Sequence, residues 1–341
     1  MEKRGYLGIL TAVLLLTGCT AGGGEAQEAS LAPSEEQRLV VYTSHKEEVW
    51  QPIVREFEER TGIWVDVVTG GTNELLERID EESEHPAADV MFGGGVDSLA
   101  VYADCFEPYQ CSEWEKIGAQ YRSEDGLWTP FSSLPVVLIY NIKLLPQGRV
   151  TGWSDLLDDS LRGRVAFADP AVSGSSFTSL VTMACAMGED MEAAIREFAY
   201  SLEGNELSGS GDVLTAVNNG SFWVGVTLEE TALKRQEAGD SINLVYPEEG
   251  TSLVPDGSAL VKGAPHGDNA RLFLDFTVSY DVQEMMAGQY RRSVRDDVAC
   301  LPQLPALEEL ALVDYDIPWA SQNHNAVLMT WAFYLNGEEE P

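Results

Sequence analysis

The chain has 341 residues, of which 44% are hydrophobic and 23% charged, and its formal net charge is −35. This length is comfortable for two domains, and the hydrophobic content is enough for a core, which excludes a disordered chain. The acidic balance argues against a nucleic-acid partner, because phosphate backbones are bound through Lys and Arg. It also argues against long-range attraction of anions, so any anion site must be built locally.

The N-terminus predicts export and lipid anchoring. An apolar stretch over residues 5–16 follows a short basic segment and is too short to span a bilayer comfortably, as in a signal peptide. The letters LTGC that follow resemble a bacterial lipobox, in which Cys19 would be lipidated and residues 1–18 removed. Residues 19–37 predict a flexible tether. We therefore expect an extracytoplasmic protein anchored to the bacterial cell membrane; the alternative is an ordinary signal peptide with a chance cysteine.

Predicted strands and helices alternate in the first part of the chain. In chain order, we predict strand 39–43, helix 47–60, strand 63–68, a helix after Gly70-Gly71-Thr72, strand 88–92 and strand 136–140. This alternation is typical of a mainly parallel sheet.

A second series follows. We predict helix 154–161, strand 164–168, a helix after residue 173, a helix at 212–218, strand 222–227, a helix from residue 229, strands 242–246 and 258–261, one long helix over 268–286 and a Trp-rich helix within 316–336. The chain is therefore expected to form two α/β halves joined near residue 135. No internal repeat is visible, and no transmembrane segment is expected after residue 19.

Polar and glycine-rich loops follow several of these strands. In open α/β sheets, ligands bind at the carboxyl ends of strands, where loops run into helices. Each loop alone could be an ordinary turn, but their coincidence predicts a binding cleft. They are Ser44-His45, Gly71-Thr72, Gly93-Gly94-Gly95, Ser173-Gly174-Ser175-Ser176 and Thr227 to Glu230.

Four cysteines follow Cys19. A bridge between Cys105 and Cys111 is an option in an exported protein. Cys185 lies on an apolar helix stripe and is expected to be a buried thiol. Neither a CxxC motif nor a Cys/His cluster is present, so we expect no structural zinc site and no cofactor.

Several segments together resemble a known family. They are VVYTSHKEEVW, PAADVMFGGG, FADPAVSGSSF, VGVTLEE, VYPEEGTSLVPDGSALVKGAP and RRSVRDDV. They resemble the solute-binding proteins of ABC importers, in the branch for ferric ion, sugar phosphate or 2-aminoethylphosphonate uptake. The resemblance implies a two-lobed α/β fold, the type II periplasmic-binding-protein fold, with a ligand cleft between the lobes. It also implies a monomer that delivers its ligand to a membrane permease with a cytoplasmic ATPase.

The domain boundaries follow from this resemblance. Lobe 1 would contain residues 38–134 and about 255–300, and lobe 2 would contain about 135–254 and 301–341.

Ferric ion is one candidate ligand. Ferric-binding members of the family use two adjacent tyrosines in the second lobe, where this chain reads Thr227-Leu228-Glu229-Glu230. The tyrosine pair is absent, although His45 and Glu229 could still bind some metal. Ferric-ion binding therefore stays as an alternative.

The serine-rich loop predicts an anion site. A phosphate at the start of the helix after Ser173 would meet unpaired N–H groups and the positive end of the helix dipole. The expected contacts are neutral dipoles from Ser173, Gly174, Ser175 and Ser176 in one lobe and from Ser44, Gly71, Thr72, Gly94 and Gly95 in the other. His45 would donate to a phosphate oxygen, and its charged form would strengthen that bond. We expect a small anionic ligand, a sugar phosphate or a phosphonate; the alternative is a plain helix cap.

The acidic candidates need a different role, because a carboxylate would not bind phosphate. Either Glu229 or Glu230 could accept hydrogen bonds from sugar hydroxyls or pair with an ammonium, and Asp212 is a weaker candidate of the same kind or a helix N-cap. A polyamine-type ligand boxed by tryptophans is a further alternative, as is a sensor rather than a transport component. We expect no enzyme, because the chain has neither a G-x-S-x-G elbow nor an H-E-x-x-H motif.

Overall fold

The computed structural model describes residues 33–188 and 190–337. The predicted signal peptide, Cys19 and most of the predicted tether lie outside the described residues. Within them, no helix is both long and apolar enough to cross a membrane.

The described residues contain twelve strands and eleven α-helices. The strands are β1 (Arg38–Thr43), β2 (Trp64–Thr69), β3 (Val90–Gly95), β4 (Phe106–Glu107), β5 (Thr129–Ser133), β6 (Val136–Asn141), β7 (Val165–Ala168), β8 (Glu206–Leu207), β9 (Val224–Leu228), β10 (Ile242–Val245), β11 (Pro255–Val261) and β12 (Arg292–Ser293). The helices are α1 (Glu47–Thr61), α2 (Thr72–Glu81), α3 (Val96–Val101), α4 (Gly174–Met187), α5 (Met191–Leu202), α6 (Ser210–Asn218), α7 (Glu229–Glu237), α8 (Gly267–Thr277), α9 (Tyr280–Ala287), α10 (Ile317–Gln322) and α11 (His324–Leu335).

The first sheet defines lobe 1. Its strand order is β12-β5-β11-β3-β1-β2, with β4 paired to β11. β1 runs parallel to β2 and β3, as the strand–helix alternation predicts, whereas β11 is antiparallel to β3 and β5. Val41 and Phe92 pack with residues of α1 and α8 on one face, and Tyr42 and Met91 pack with residues of α2 on the other. Burial of alternate residues on opposite faces thus fixes β1 and β3 in the middle of the lobe.

The second sheet defines lobe 2. Its order is β10-β6-β9-β7-β8, in which β7 is parallel to β9 and β6 is antiparallel to β9. Val136 and Phe167 pack with α4, α5 and α11 on one face, and Val137 and Ala166 pack with α6 on the other. The expected two-lobed α/β architecture is therefore confirmed.

The chain passes between the lobes more than once. β5 of lobe 1 is joined to β6 of lobe 2 through Leu134-Pro135, and β10 of lobe 2 is joined to β11 of lobe 1. Near the C-terminus, α10 contacts α3 of lobe 1, whereas α11 contacts α5 of lobe 2. The segment 301–341, which we expected in lobe 2, thus contacts both lobes.

Two predicted helices differ from the structure. The single helix expected over 268–286 is interrupted, and α8 and α9 replace it. Gln283 Nε2 donates to the carbonyl oxygen of Thr277 at 3.0 Å, which caps the end of α8, and Ser279 is extended. The helix expected at 154–161 consists of two short 3₁₀ segments, 153–157 and 159–161.

The cysteine predictions are also corrected. Cys105 and Cys111 are both buried free thiols, so the bridge between them is absent. Cys105 Sγ instead lies 3.4 Å from Asp80 Oδ1. Burial is the main cause that raises the pKa of each of these thiols to about 11. Cys185 is only half-buried rather than fully buried.

Candidate functional site

A cavity of about 370 Å³ lies between the lobes, at the carboxyl ends of β1, β3, β7 and β9. This volume is within the range of small-molecule sites. Its walls come from both lobes, because the loops after these strands meet there. Each lobe alone therefore supplies only part of the site.

Eleven of the thirteen predicted ligand-binding residues line this cavity. They are Ser44, His45, Gly71, Thr72, Gly94 and Gly95 from lobe 1 and Ser173, Gly174, Ser175, Ser176 and Glu230 from lobe 2. Asp212 and Glu229 do not line it. Asp212 is exposed in the first turn of α6, where it accepts a hydrogen bond from Ser208 Oγ at 3.1 Å, and the N-cap of that helix is Gly209.

The start of α4 brings hydroxyl groups and backbone N–H groups to the cavity. Ser173 is the N-cap, and its Oγ accepts from the N–H of Ser176 at 3.3 Å. The Oγ atoms of Ser175 and Ser176 both lie 3.1 Å from Ser173 Oγ. The N–H groups of Gly174 and Ser175 have no acceptor among the described residues. The helix is therefore capped from within, and its first N–H groups stay available to an anion.

Two glycines, Gly94 at the end of β3 and Gly174 at the start of α4, allow the backbone to approach Thr72 closely, Gly94 from the same lobe and Gly174 from the opposite one. Gly94 has a φ of +97°, and a Cβ atom there would lie 2.6 Å from Thr72 Cγ2. A Cβ atom on Gly174 would lie 3.2 Å from Thr72 Cβ and 3.1 Å from Ser98 Oγ. Thr72 therefore packs between the glycine loop of lobe 1 and the start of α4 in lobe 2, and larger residues would separate these walls.

Direct hydrogen bonds also join the lobes beside the cavity. Asn73 Nδ2 donates to the carbonyl oxygen of Ala171 at 2.8 Å. Asp97, fully buried in lobe 1, accepts from Thr178 Oγ1 of α4 at 2.8 Å and from Tyr315 Oη at 2.6 Å. Burial raises the pKa of Asp97, and the hydrogen bonds from Tyr315 and Thr178 only partly oppose that rise.

Arg291 is a cavity residue that sequence reasoning missed. Its Nη1 donates to Ser132 Oγ and to Asp256 Oδ2, both at 2.7 Å. Its Nε is buried and has no hydrogen-bond partner in the described part of the chain. We expected an anion site made of neutral dipoles, but a guanidinium lines this cavity, together with the exposed Lys46. The signal was present in RRSVRDDV, a cluster of arginines in a strongly acidic chain.

His45 lies next to this arginine. Its Nε2 is 3.6 Å from Asp256 Oδ2 and has no hydrogen-bond partner among residues 33–188 and 190–337. Its ring contacts the rings of Phe92 and Phe131, with centroids 4.5 and 5.3 Å apart. Burial, with the charge of Arg291, holds the pKa of His45 well below its usual value of 6.5. His45 is therefore a neutral imidazole at pH 7, without the charge that would strengthen a hydrogen bond to a phosphate oxygen.

The two adjacent glutamates have different surroundings. Glu230 lines the cavity and forms an ion pair with Lys234 at 2.5 Å. Burial alone would raise the pKa of Glu230, but Arg291 and Lys234 outweigh it and lower that pKa. Glu229 is 1% exposed and is bound by Arg292 and Tyr246 outside the cavity lining.

The predicted metal alternative finds little support in this arrangement. His45 lines the cavity, whereas Glu229 is bound to Arg292, so the cavity does not bring the two together. No group of three or more His, Cys, Asp or Glu residues suited to a metal ion occurs in the described part of the chain. No tyrosine among the described residues lines the cavity.

Comparison with known proteins adds a family and several relatives. The profile of the family described as "Bacterial extracellular solute-binding protein" matches residues 85–318. The chain is 28% identical over 310 residues to iron uptake protein A1 of Synechocystis sp., which covers 84% of this chain and 85% of that protein. It is 26% identical over 261 residues to a putative 2-aminoethylphosphonate-binding periplasmic protein of Salmonella typhimurium, covering 71% and 73% of the two chains.

Solved structures share the fold. The periplasmic binding protein AfuA from Actinobacillus pleuropneumoniae, with exogenous fructose-6-phosphate bound, has a TM-score of 0.81 at 24% identity, over 88% of this chain and 99% of that one. The ferric binding protein from Campylobacter jejuni has a TM-score of 0.76 at 20% identity, over 87% and 99% of the two chains. At these identities, the likeness shows the two-lobed fold alone.

Proposed function

Because this chain belongs to the bacterial extracellular solute-binding protein family, we propose that it is the solute-binding component of an ABC importer and captures a small phosphorylated organic compound or a phosphonate between its lobes. The loaded protein delivers this ligand to a membrane permease with a cytoplasmic ATPase. A lipid on Cys19 keeps the protein at the bacterial cell membrane.

One observation carries the choice of ligand: the start of α4 and Arg291 line the same cavity. Phosphate and phosphonate groups offer several acceptor oxygens. The α4 end offers serine hydroxyls and the free N–H groups of Gly174 and Ser175. Arg291 offers a buried guanidinium whose Nε has no hydrogen-bond partner within the described residues. Donors in a desolvated cleft bind an anion much more strongly than donors in water, so a net charge of −35 does not oppose capture.

The rest of the ligand meets carboxylates. Glu230 and Asp256 both line the cavity, and Lys234 and Arg291 respectively pair with them. Ionised carboxylates accept hydrogen bonds and donate none. They therefore suit the hydroxyl groups of a sugar phosphate or the ammonium group of an aminophosphonate. Relatives named for 2-aminoethylphosphonate binding support the phosphonate class.

Ferric ion is the second candidate, and relatives named for iron uptake favour it. The side chains of the cavity favour it less. Its carboxylates, Glu230 and Asp256, already pair with cationic side chains. The Nε2 atom of His45 has no hydrogen-bond partner in the described residues, but no tyrosine among them lines the cavity to complete a ferric site. A hard trivalent ion would have to displace Arg291 or Lys234 to reach these oxygens.

Calorimetry and thermal unfolding of the purified protein test the proposal. The probes are glucose 6-phosphate, 2-aminoethylphosphonate, inorganic phosphate, spermidine and ferric citrate. A ligand at a hundred times its Kd stabilises the folded state by about 2.7 kcal/mol, which is measurable as a higher Tm. We expect this shift with phosphorylated organic compounds or phosphonates. A shift with ferric citrate or spermidine alone would overturn the proposal.

Variants at the helix start make the test specific. Ser175→Ala removes a hydroxyl whose only side-chain contact in the described residues is Ser173 Oγ, so the cap itself remains. It should weaken binding of the phosphorylated probe. Asp212→Asn is the matched control, because it changes an exposed side chain of lobe 2 outside the cavity. Equal affinities of both variants and the wild type would remove the start of α4 from the site.

A further inference from the structure

Two pairs of consecutive residues face each other across the lobes. Glu229 and Glu230 begin α7 of lobe 2, and Arg291 and Arg292 lead into β12 of lobe 1. One member of each pair lines the cavity, namely Glu230 and Arg291. The other members, Glu229 and Arg292, bind each other. We propose that this second pair is a positioning element, which we call the interlobe bridge (Glu229, Arg292 and Tyr246), and that it holds Glu230 and Arg291 in place for the ligand. This inference rests on the proposed function.

The geometry of the interlobe bridge is specific. Arg292 Nε donates to Glu229 Oε2 at 2.7 Å and Arg292 Nη2 donates to Glu229 Oε1 at 2.8 Å, a bidentate arrangement. Tyr246 Oη donates to Glu229 Oε1 at 2.5 Å. Arg292 is 2% exposed and Glu229 1%. A buried pair with every carboxylate oxygen occupied fixes both side chains, because any displacement would leave a desolvated charge without a partner.

The bridge lies where the lobes are connected. The N–H of Glu229 donates to the carbonyl oxygen of Pro135 at 2.9 Å, and Pro135 lies in the connection between β5 and β6. On the other side, Arg292 is paired with Ser133 in the register of β12 and β5. The bridge therefore ties the first residue of α7 to the strand that leads out of lobe 1.

A second link joins the same two segments on the cavity side. Lys234, which pairs with Glu230, donates through Nζ to Gln289 Oε1 of lobe 1 at 3.2 Å. Residues 229–234 of one lobe thus run along residues 289–292 of the other and contact them at both ends. Since Arg291 directly precedes Arg292 along the chain, loosening the bridge shifts the guanidinium that lines the cavity.

A double-mutant cycle tests the positioning role. Glu229→Gln keeps the side-chain shape and removes the charge, and we expect it to weaken binding of glucose 6-phosphate or 2-aminoethylphosphonate by roughly tenfold. In an Arg291→Ala background the same change should weaken binding little further, because the group that the bridge holds is gone. Equal weakening in both backgrounds, or a lowered Tm with an unchanged Kd, would overturn the inference.

A milder variant covers the case in which Glu229→Gln fails to fold. Tyr246→Phe removes one of the three hydrogen bonds to Glu229 and leaves the ion pair, so a few-fold weakening is expected. Tyr280→Phe is the matched control, because the Tyr280 hydroxyl bonds the exposed Glu284 away from the cavity. An equal Kd for the two tyrosine variants would contradict the inference.

A ligand-free measurement separates this inference from the proposed function. Arg291 contributes to the low pKa of His45, so the His45 ring resonance reports where the guanidinium lies. Arg291 lowers the pKa of His45 and Glu230 raises it, so loosening the bridge that holds both should change that pKa. Glu229→Gln or Tyr246→Phe should therefore shift the His45 ring resonances and their titration in the absence of ligand; an unchanged titration and unchanged ring resonances would overturn the positioning role. Wild-type protein that binds neither probe would overturn the proposed function, and the His45 titration would still decide the inference.

Discussion

Arg291 Nη1 donates to Asp256 Oδ2 at 2.7 Å, in a pair that lines the cavity although each residue is only 5% exposed. Asp256 in turn accepts from the N–H and the Oγ of Ser132, both at 2.7 Å. The carboxylate therefore fixes one edge of the guanidinium. Its Nε has no hydrogen-bond partner among the described residues, and we expect the guanidinium donors that Ser132 and Asp256 leave free to bind the ligand anion.

Arg291→Lys tests this pair directly. Lysine carries one nitrogen on a different stem, so it cannot keep the contacts that Nη1 makes to Ser132 and Asp256 and also present the separate Nε and Nη2 donors of the guanidinium to an anion. Since a hydrogen bond to a charged group is worth about 1.5–3 kcal/mol, we expect a Kd for the phosphorylated probe about 10- to 100-fold higher by calorimetry. Arg55→Lys, at an exposed ion pair with Glu59, is the matched control. An unchanged Kd for Arg291→Lys would exclude its contact with the ligand.

The low pKa of His45 should make the free energy of unfolding depend on pH. Its pKa in the folded protein is lowered well below 6.5, so below pH 6.5 the unfolded chain binds a proton that the folded protein does not. The free energy of unfolding should therefore fall as pH decreases below 6.5, with His45 contributing up to about 1.4 kcal/mol per pH unit. Urea unfolding of wild type and His45→Gln at pH 7, 6 and 5 measures this difference. Parallel pH profiles would show that His45 titrates normally.

His45 should also affect the ligand. Its Nε2 has no protein partner in the described residues and lies in the cavity wall, so it is available to a phosphate oxygen. We expect His45→Ala to weaken binding of the phosphorylated probe at pH 7, where the wild-type imidazole is neutral. An unchanged Kd by calorimetry would remove His45 from the site.

Asp97 should be a strong determinant of stability. It is fully buried and accepts from Thr178 of lobe 2 and from Tyr315. Asp97→Ala leaves these donors without a partner, and each such loss costs about 1–3 kcal/mol. We expect a large fall in the free energy of unfolding by urea denaturation, and a smaller one for Asp97→Asn, whose amide oxygen still accepts. Equal stabilities of Asp97→Ala and wild type would contradict the hydrogen bonds.

The two buried thiols, Cys105 and Cys111, should be unreactive in the folded protein. Cys105 and Cys111 are buried, and the pKa of each is raised to about 11, whereas Cys300 is exposed. At pH 8, iodoacetamide should label Cys300 first and the two buried thiols only after unfolding. Mass spectrometry of the digested protein reads out the order. A peptide that links Cys105 to Cys111 would contradict the free thiols.

Local signals in the sequence predicted much of the site. The helix start at Ser173 needs only a strand, a short polar loop and an apolar helix, and these are neighbours along the chain. The position of Arg291 could not be predicted from local signals. It depends on the two-residue strand β12, which pairs with β5, a strand far away in the sequence. A two-residue strand is too short to produce the alternation of apolar and polar residues that predicts strands from sequence.

The two glutamates show the same limit. Adjacent residues at a helix start point about 100° apart, so one of them had to face away from the cavity. Glu229 is the one that faces away, because its carboxylate binds Arg292, a residue far from it in the sequence. Likewise, the apolar pattern over 268–286 continues across Ser279, and the break between α8 and α9 depends on a hydrogen bond from Gln283.

The position of β11 determines the order in which the two sheets can be completed as the chain is synthesised. β11 lies between β3 and β5, although it follows every strand of lobe 2 along the chain. A nascent chain that ends at residue 254 therefore contains all five strands of the second sheet, while the first sheet still has two unpaired inner edges, on β3 and β5. Such edges are templates for aggregation. The sheet that begins first is finished last, and a fragment that ends before Pro255 should be recovered insoluble.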